Sequence, residues 1–260
     1  MVNGCRKNPN RVEANDLPAG RQGYLPSFGK YIMIKLENIT KQYPTGNIAL
    51  DDITFDIDRG EFVFLIGPSG SGKTTLFRLL IRDTVPSSGS IHIGDWDLVT
   101  LPKNKVHRLR KNIGVVFQDL KLLRDRTIYE NIMFPLEVGN IDTKEAREKV
   151  EAIIERVGIA EHRDKFPIQL SGGELQRAAI ARALAFSPEI LLADEPTGNL
   201  DNATSWEIVK LLQDINESGT TIIMATHNAD IVNSLKKRTL ILEKGKLTID
   251  HREKKKKEEE

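Results

Sequence analysis

The stretch Gly67-Pro68-Ser69-Gly70-Ser71-Gly72-Lys73-Thr74 has the spacing Gly, four residues, Gly-Lys-Thr, which is the P-loop pattern. Glycines at these points let backbone N–H groups converge on phosphate oxygens, and a helix starting just beyond adds its positive end. Lys73 is expected to reach the β- and γ-phosphates of a nucleoside triphosphate. The Thr74 hydroxyl is expected to ligate Mg²⁺, and Thr75 is counted with the residues that touch the nucleotide. Such a loop needs an acidic partner for the metal. Ile190-Leu191-Leu192-Ala193-Asp194-Glu195, an apolar run ending in two carboxylates, supplies one. Two adjacent acids at a strand end repel each other unless a cation intervenes, so the pair makes sense beside a metal. Asp194 is then the metal-linked carboxylate, through water, and Glu195 is left to polarise the attacking water as general base. Together these residues read as a site for a nucleoside triphosphate.

Both motifs require elements that hold them. Phe62 to Ile66 is a buried strand leading into the loop, and an apolar-rich helix over 74–82 leads out of it. Strands are predicted at 34–43, 50–57, 61–66, 90–93 and 113–117, with others at 190–193, 220–225, 239–243 and 246–249. Residues 127–186 read as mostly helical, and 202–218 as a single helix. Buried strands joined by crossover helices predict a parallel-sheet α/β core. The long helical block reads as an insertion into it, at about 119–186. Residues 1–32, rich in Asn, Arg, Gly and Pro, read as a disordered arm or an extension ahead of a start at Met33. Residues 251–260 read as a solvated charged tail.

Composition narrows the classes. With 38 basic and 37 acidic residues the net charge is +1, so no global field favours nucleic acid, and no nucleic-acid partner is expected. No apolar run approaches the ~18 residues of a membrane-spanning helix. Cys5 is the only cysteine, which excludes an internal disulfide and a cysteine-built zinc site, and a reducing cytosol fits best.

A third motif separates this chain from other P-loop proteins. Leu170-Ser171-Gly172-Gly173-Glu174 runs into a helix apolar around most of its circumference, so a second helix N-terminus offers a serine hydroxyl and glycine N–H groups to an anion. With this segment, residues 33–250 resemble the ATP-binding subunits of ABC transporters. The resemblance implies an ABC ATPase core with an N-terminal antiparallel β subdomain and an inserted helical signature subdomain. It implies that Tyr43 stacks on adenine and that Gln118 senses the γ-phosphate, sits near the metal and couples to membrane partners. It further implies that Ser171, Gly172 and Gly173 contact the nucleotide held by the opposite subunit of a homodimer, that Asp201 belongs to the dimer-communication loop, and that His227 is the switch histidine. Catalysis would then rest on Glu195, His227, Gln118 and Lys73.

The segment Phe117 to Asn131, with Asp125-Arg126-Thr127 and Tyr129-Glu130-Asn131, looks like the FtsE-type cell-division branch of that family. Lipoprotein-release and macrolide-export subunits are close relatives and share Ala193 to Asp201. Leu175 stands where glutamine is common, and Phe134-Pro135-Leu136 leans toward the exporters. The division branch implies an integral membrane subunit of the FtsX type, met through residues about 120–137. Leu122, Leu123, Ile128 and Tyr129 are expected to supply apolar contacts there, with Arg124, Asp125 and Arg126 as a rim. The expected location is the cytoplasmic face of the membrane. Two other classes stay open: a soluble ATPase acting on nucleic acid or ribosomes, against which the single compact cassette speaks, and a nonhydrolytic binding module, against which Glu195 and His227 speak.

Overall fold

The computed structural model describes residues 32–252. The expected arm, save Ile32, and residues 253–260 of the expected tail lie outside the described residues. Within them the chain forms two sheets. The first is antiparallel, with β2 (Ile48–Asp58), β1 (Ile32–Gln42), β4 (Ser88–Ile93) and β5 (Trp96–Asp97) side by side in that order. The second runs β10 (Lys246–His251), β9 (Arg238–Glu243), β3 (Phe62–Ile66), β8 (Thr221–Ala225), β7 (Ile190–Asp194) and β6 (Ile113–Val116). All its neighbours are parallel except β10 on β9.

The parallel strands are covered on both faces, which explains why they read as continuous apolar runs rather than alternations. Residues still divide between the faces with period two. Val63 and Leu65 of β3, Ile190 and Leu192 of β7, and Ile223 and Ala225 of β8 enter the cluster under the antiparallel sheet and α1 (Lys73–Leu80). Phe62 and Phe64, Leu191 and Ala193, and Ile222 and Met224 enter the cluster on the other side. There they meet α3 (Ile128–Val138), α4 (Thr143–Val157), α5 (Gly172–Ala183) and α6 (Asn202–Glu217). The helical insertion therefore has no core of its own. Its last helix, α5, packs on β6 so closely that a Cβ at Gly114 would lie 2.5 Å from the Ala183 carbonyl.

Several boundaries differ from the sequence expectation for physical reasons. In β1 the alternation breaks after Leu36: Asn38 takes φ 49° at a register shift, so Ile39 is the next inward residue. The strand begins at Ile32, paired with Asp58. At the other end β10 extends through His251, and Arg252 donates to Asp56 Oδ2 at 2.8 Å, so the start of the expected tail is structured. The short α2 (Val106–Lys111) and α7 (Ala229–Leu235), like β5, are too brief to carry a periodic signal.

Arg238 ties the sheet edges together. Its buried guanidinium donates to both Asp250 oxygens at 2.7 Å, to the Asp56 carbonyl at 2.7 Å and to Glu61 at 3.1 Å. Those hydrogen bonds and carboxylates outweigh the cost of burial and hold the group above its ordinary value. Arg238→Ala should therefore destabilise the fold by about 3 kcal/mol in urea denaturation, because two carboxylates and a carbonyl lose their only shared donor. A loss below about 0.5 kcal/mol, the ordinary surface range, would contradict this.

Candidate active site

The loop between β3 and α1 is shaped by glycines with no substitute. Gly67 has φ 156°, and a Cβ there would lie 2.2 Å from the Leu242 carbonyl. Gly72, at φ 112°, caps α1 with no side-chain bond, and a Cβ on it would lie 2.6 Å from the Ala49 carbonyl. The first N–H groups of α1 thus have no side-chain acceptor from the cap and stay open to an outside one. Lys73 is 8% exposed; its ammonium donates to the carbonyls of Gly67 at 2.6 Å and Pro68 at 3.2 Å. Ser71 is buried, and its carbonyl accepts from Gly245 N–H at 3.1 Å.

Tyr43, residues 69–75, Gln118, Asp194 and Glu195 all line one cleft. The Tyr43 hydroxyl stands 3.4 Å from Thr75 Oγ1, and the Lys41 ammonium lies 5.2 Å from the Tyr43 ring centre. Thr74 Oγ1 is 3.5 Å from Asp194 Oδ2. Burial, and then the charge of Glu195, raise the Asp194 carboxyl above its usual range, against the opposing pull of Lys73 and Thr74. Sequence reasoning missed Lys244 and the 47–49 stretch, which also line the cleft. The Lys244-Gly245 turn was legible, but its place beside the loop depends on the non-local bond from Gly245 to Ser71.

Glu195 follows β7 directly and takes φ 48°, a left-handed conformation uncommon outside glycine, with its N–H on the Ala225 carbonyl at 3.0 Å. Its Oε2 lies 3.4 Å from His227 Nδ1, and both residues line a smaller adjoining cavity with Gly198, Leu200 and Asn202. His227 itself is largely exposed.

The signature residues lie elsewhere. Ser171 caps α5 in a capping box: Glu174 Oε2 accepts Ser171 N–H at 2.8 Å, and the Ser171 hydroxyl accepts Glu174 N–H at 3.5 Å. A Cβ on Gly173 would lie 2.5 Å from Thr204 Cγ2, and one on Gly172 3.1 Å from Leu200 Cδ2. Thr204 in turn donates twice to Asp201, the cap of α6. Ser171, Gly172, Gly173 and Asp201 are thus brought to one another, and none of them lines the P-loop cleft.

Gln118 borders two spaces. Besides the cleft it lines, with Thr74 and Asp194, a larger apolar groove whose walls include Phe77, Phe117, Phe134 and Phe186. Beyond it Leu120 and Lys121 both take positive φ, and their carbonyls accept from the Arg182 guanidinium at 2.6 and 2.5 Å. Of the apolar residues expected to face a partner, Ile128 needs correction. Ile128 is fully buried, and Leu122 packs against the core. Leu123 is half-buried and donates its N–H to Asn131 Oδ1 at 2.7 Å; the half-buried Tyr129 ring lies 4.8 Å under the Arg163 guanidinium. The apolar side chains actually exposed here are Phe117, Phe134 and Val138.

Residues 50–198 match the family model described as ABC transporter. Among curated proteins, the chain is 48% identical to the cell division ATP-binding protein FtsE of Mycobacterium tuberculosis, over 84% of this chain and 96% of that one. It is 44% identical to FtsE of Bacillus subtilis, again over 84% and 96%, and 43% identical to FtsE of Escherichia coli over 83% and 97%. Among solved structures it resembles the dimeric ATP-binding cassette MJ0796 in a post-hydrolysis state bound to ADP and Pi. That match has 34% identity and a TM-score of 0.76, covering 85% of this chain and 98% of the cassette.

The raised Asp194 carboxyl has a measurable consequence. A folded-state pKa above the unfolded one means that stability falls as pH rises through the window between them, and stays lower above it. Asp194→Asn should therefore raise the Tm of the nucleotide-free protein at neutral pH. The gain should shrink with acidification and vanish below about pH 3, where the carboxyl is protonated folded and unfolded alike. Thermal melts across that range check it; a lower Tm for the variant at neutral pH would contradict it.

Proposed function

We propose, from the premise that the chain belongs to the ABC transporter ATP-binding family, that it is the FtsE-type ATPase of a cell-division complex. ATP binding and hydrolysis come with the family; the assignment of roles to individual residues is our reading. One observation carries it. The phosphate loop, the paired acids and the Glu195–His227 pair converge on one region, while the signature serine points to another. Each chain thus offers half of two sites, and a second copy in the opposite orientation completes both. The dimeric cassette among the similar structures supports this arrangement.

In this reading the loop N–H groups and Lys73 bind the phosphates, exchanging the Gly67 and Pro68 carbonyls for phosphate oxygens. Tyr43 packs against the base. Thr74, Gln118 and Asp194 form a hard-oxygen set that suits Mg²⁺, an ion that keeps water and substrate phosphates among its ligands. Bound there, magnesium would supply neutralisation of the phosphate charge. Glu195, which lines both the cleft and the adjoining cavity, accepts the proton of the attacking water, and His227 steadies that carboxylate and meets the γ-phosphate. Ser171 and the α5 N-terminus of the second copy close over the same phosphate, so that binding energy becomes subunit closure.

No helix among the described residues is long and apolar enough to cross a membrane. The proposed route to the membrane's cytoplasmic face is an FtsX-type integral subunit, seated in the groove that Gln118 shares with the nucleotide cleft. The ATPase cycle would thereby drive a partner that regulates septal cell-wall hydrolysis. The exposed Phe134 and Phe117 and the walls formed by Phe77 and Phe186 supply the apolar contact that such interfaces concentrate in a few anchors.

Two experiments test this reading. Glu195→Gln should keep nucleotide affinity while phosphate release slows by ~10² or more; turnover at the wild-type rate would remove the general base from the account. For the groove, Phe134→Ser should leave the melting curve and ATPase rate of the purified subunit intact but abolish co-purification with a co-expressed FtsX-type subunit. Ile128→Ala should instead destabilise the isolated subunit, by about 2–5 kcal/mol. Undiminished association of the Phe134 variant would contradict the docking site.

A further inference from the structure

His227 is weakly held by its own side chain. The imidazole is 67% exposed, and its one polar contact among the described residues is Glu195 Oε2, 3.4 Å from Nδ1. A ring so little packed takes its position from the backbone that carries it. That backbone is the short turn between β8 and α7, and a polar side chain on either side of His227 fixes its course.

Thr226, on the near side, is 2% exposed and donates its N–H to the Leu65 carbonyl of β3 at 3.2 Å, one residue past the end of β8. Its hydroxyl oxygen accepts the N–H of Asn228 at 3.1 Å, which closes a turn with His227 at its middle. Asn228, on the far side, reaches forward: Oδ1 accepts the N–H groups of Asp230 at 3.0 Å and Ile231 at 3.2 Å and so caps α7. The flanks of His227 are thus tied to the sheet and to the helix, with the Thr226 hydroxyl joining the two ties. Glu195 is fastened to the same strand end, through its N–H on the carbonyl of Ala225. Both members of the Glu195–His227 pair are therefore placed from the C-terminal end of β8.

We propose that Thr226 is a positioning residue for His227: by accepting the Asn228 N–H, its hydroxyl folds the turn that holds the imidazole against Glu195. This rests on the reading of Glu195 and His227 as the pair that serves hydrolysis. Loss of the acceptor should slow turnover and spare nucleotide binding, because Lys73 and the loop N–H groups belong to other elements. The hydroxyl is what matters, not the shape of the side chain. Valine keeps the branched shape without the acceptor; serine keeps the acceptor and gives up a buried methyl group.

The test uses the full chain with Thr226→Val, Thr226→Ser, His227→Ala and the Thr226→Val/His227→Ala double variant. It measures single-turnover ATP hydrolysis with enzyme in excess, so that slow variants are still quantified, together with titration of a fluorescent ATP analogue and melting temperature. Thr226→Val should slow hydrolysis by about tenfold, within what a small misplacement of a catalytic group costs, with analogue affinity within about twofold of wild type. Thr226→Ser should melt lower than wild type yet hydrolyse at nearly its rate, which separates turnover from stability. Added to His227→Ala, Thr226→Val should cost nothing further, as for a residue that acts through another. If the valine variant melts below the assay temperature, Thr226→Ala, which removes the acceptor and adds no atom, replaces it in both backgrounds. A wild-type rate for Thr226→Val alongside an impaired His227→Ala would overturn the Thr226 role and leave the catalytic pair standing. An undiminished tenfold loss in the His227→Ala background, or equal losses for valine and serine, would overturn it as well. A wild-type rate for His227→Ala would remove the reading of the pair and this proposal with it.

Discussion

Lys73 places its ammonium at the start of a helix, almost out of water, where it donates to the carbonyls of Gly67 and Pro68 in its own loop. Much of the fold serves to hold it there. Gly67 and Gly72 adopt backbone angles and close approaches that no side chain permits, and the β9–β10 turn braces the loop through Gly245. The first N–H groups of α1, without a side-chain acceptor from the Gly72 cap, lie at the same junction of loop and helix. An anion that satisfies all of these at once stabilises the folded chain by mass action, which is how nucleotide occupancy becomes a structural signal.

That signal has two short routes outward. Asp194 and Thr74 border both the nucleotide cleft and the apolar groove, and Gln118 lies between the two spaces. Past Gln118, the carbonyls of Leu120 and Lys121 are clamped by Arg182, a residue of the signature helix. The backbone just past Gln118 is thus joined to α5 by direct hydrogen bonds. Because α5 packs on β6 and on both other helices of the insertion, it is shared by the core and the signature region. Such contiguity makes coupling physically available; a two-state element biased by nucleotide is what would make it operate.

Much of this was legible in the sequence because it is written in local patterns. The P-loop glycines, the apolar strand ending in Asp194 and Glu195, and the box from Ser171 to Glu174 each carry their own geometric requirement, and nearly all the strands follow from runs and turns. Tertiary context decided the rest. The break after Leu36 in β1 is a bulge, invisible to an alternation rule, and it moves Asn38 out of register. Ile128 read as a partner contact because an apolar residue after a cap suits a core as well as an interface; only packing separates the two. Lys244 joined the cleft through contacts between segments far apart in the chain, which no spacing encodes.

The central claim is that one chain carries two half-sites that only a second copy completes, and the mass of the protein in solution tests it most directly. Glu195→Gln, examined by sedimentation equilibrium with ATP and Mg²⁺, should approach twice the 29.2 kDa chain mass, and should return to the single-chain mass when ADP replaces ATP. A variant that binds ATP fully yet stays at the mass of one chain at every protein concentration would contradict the account.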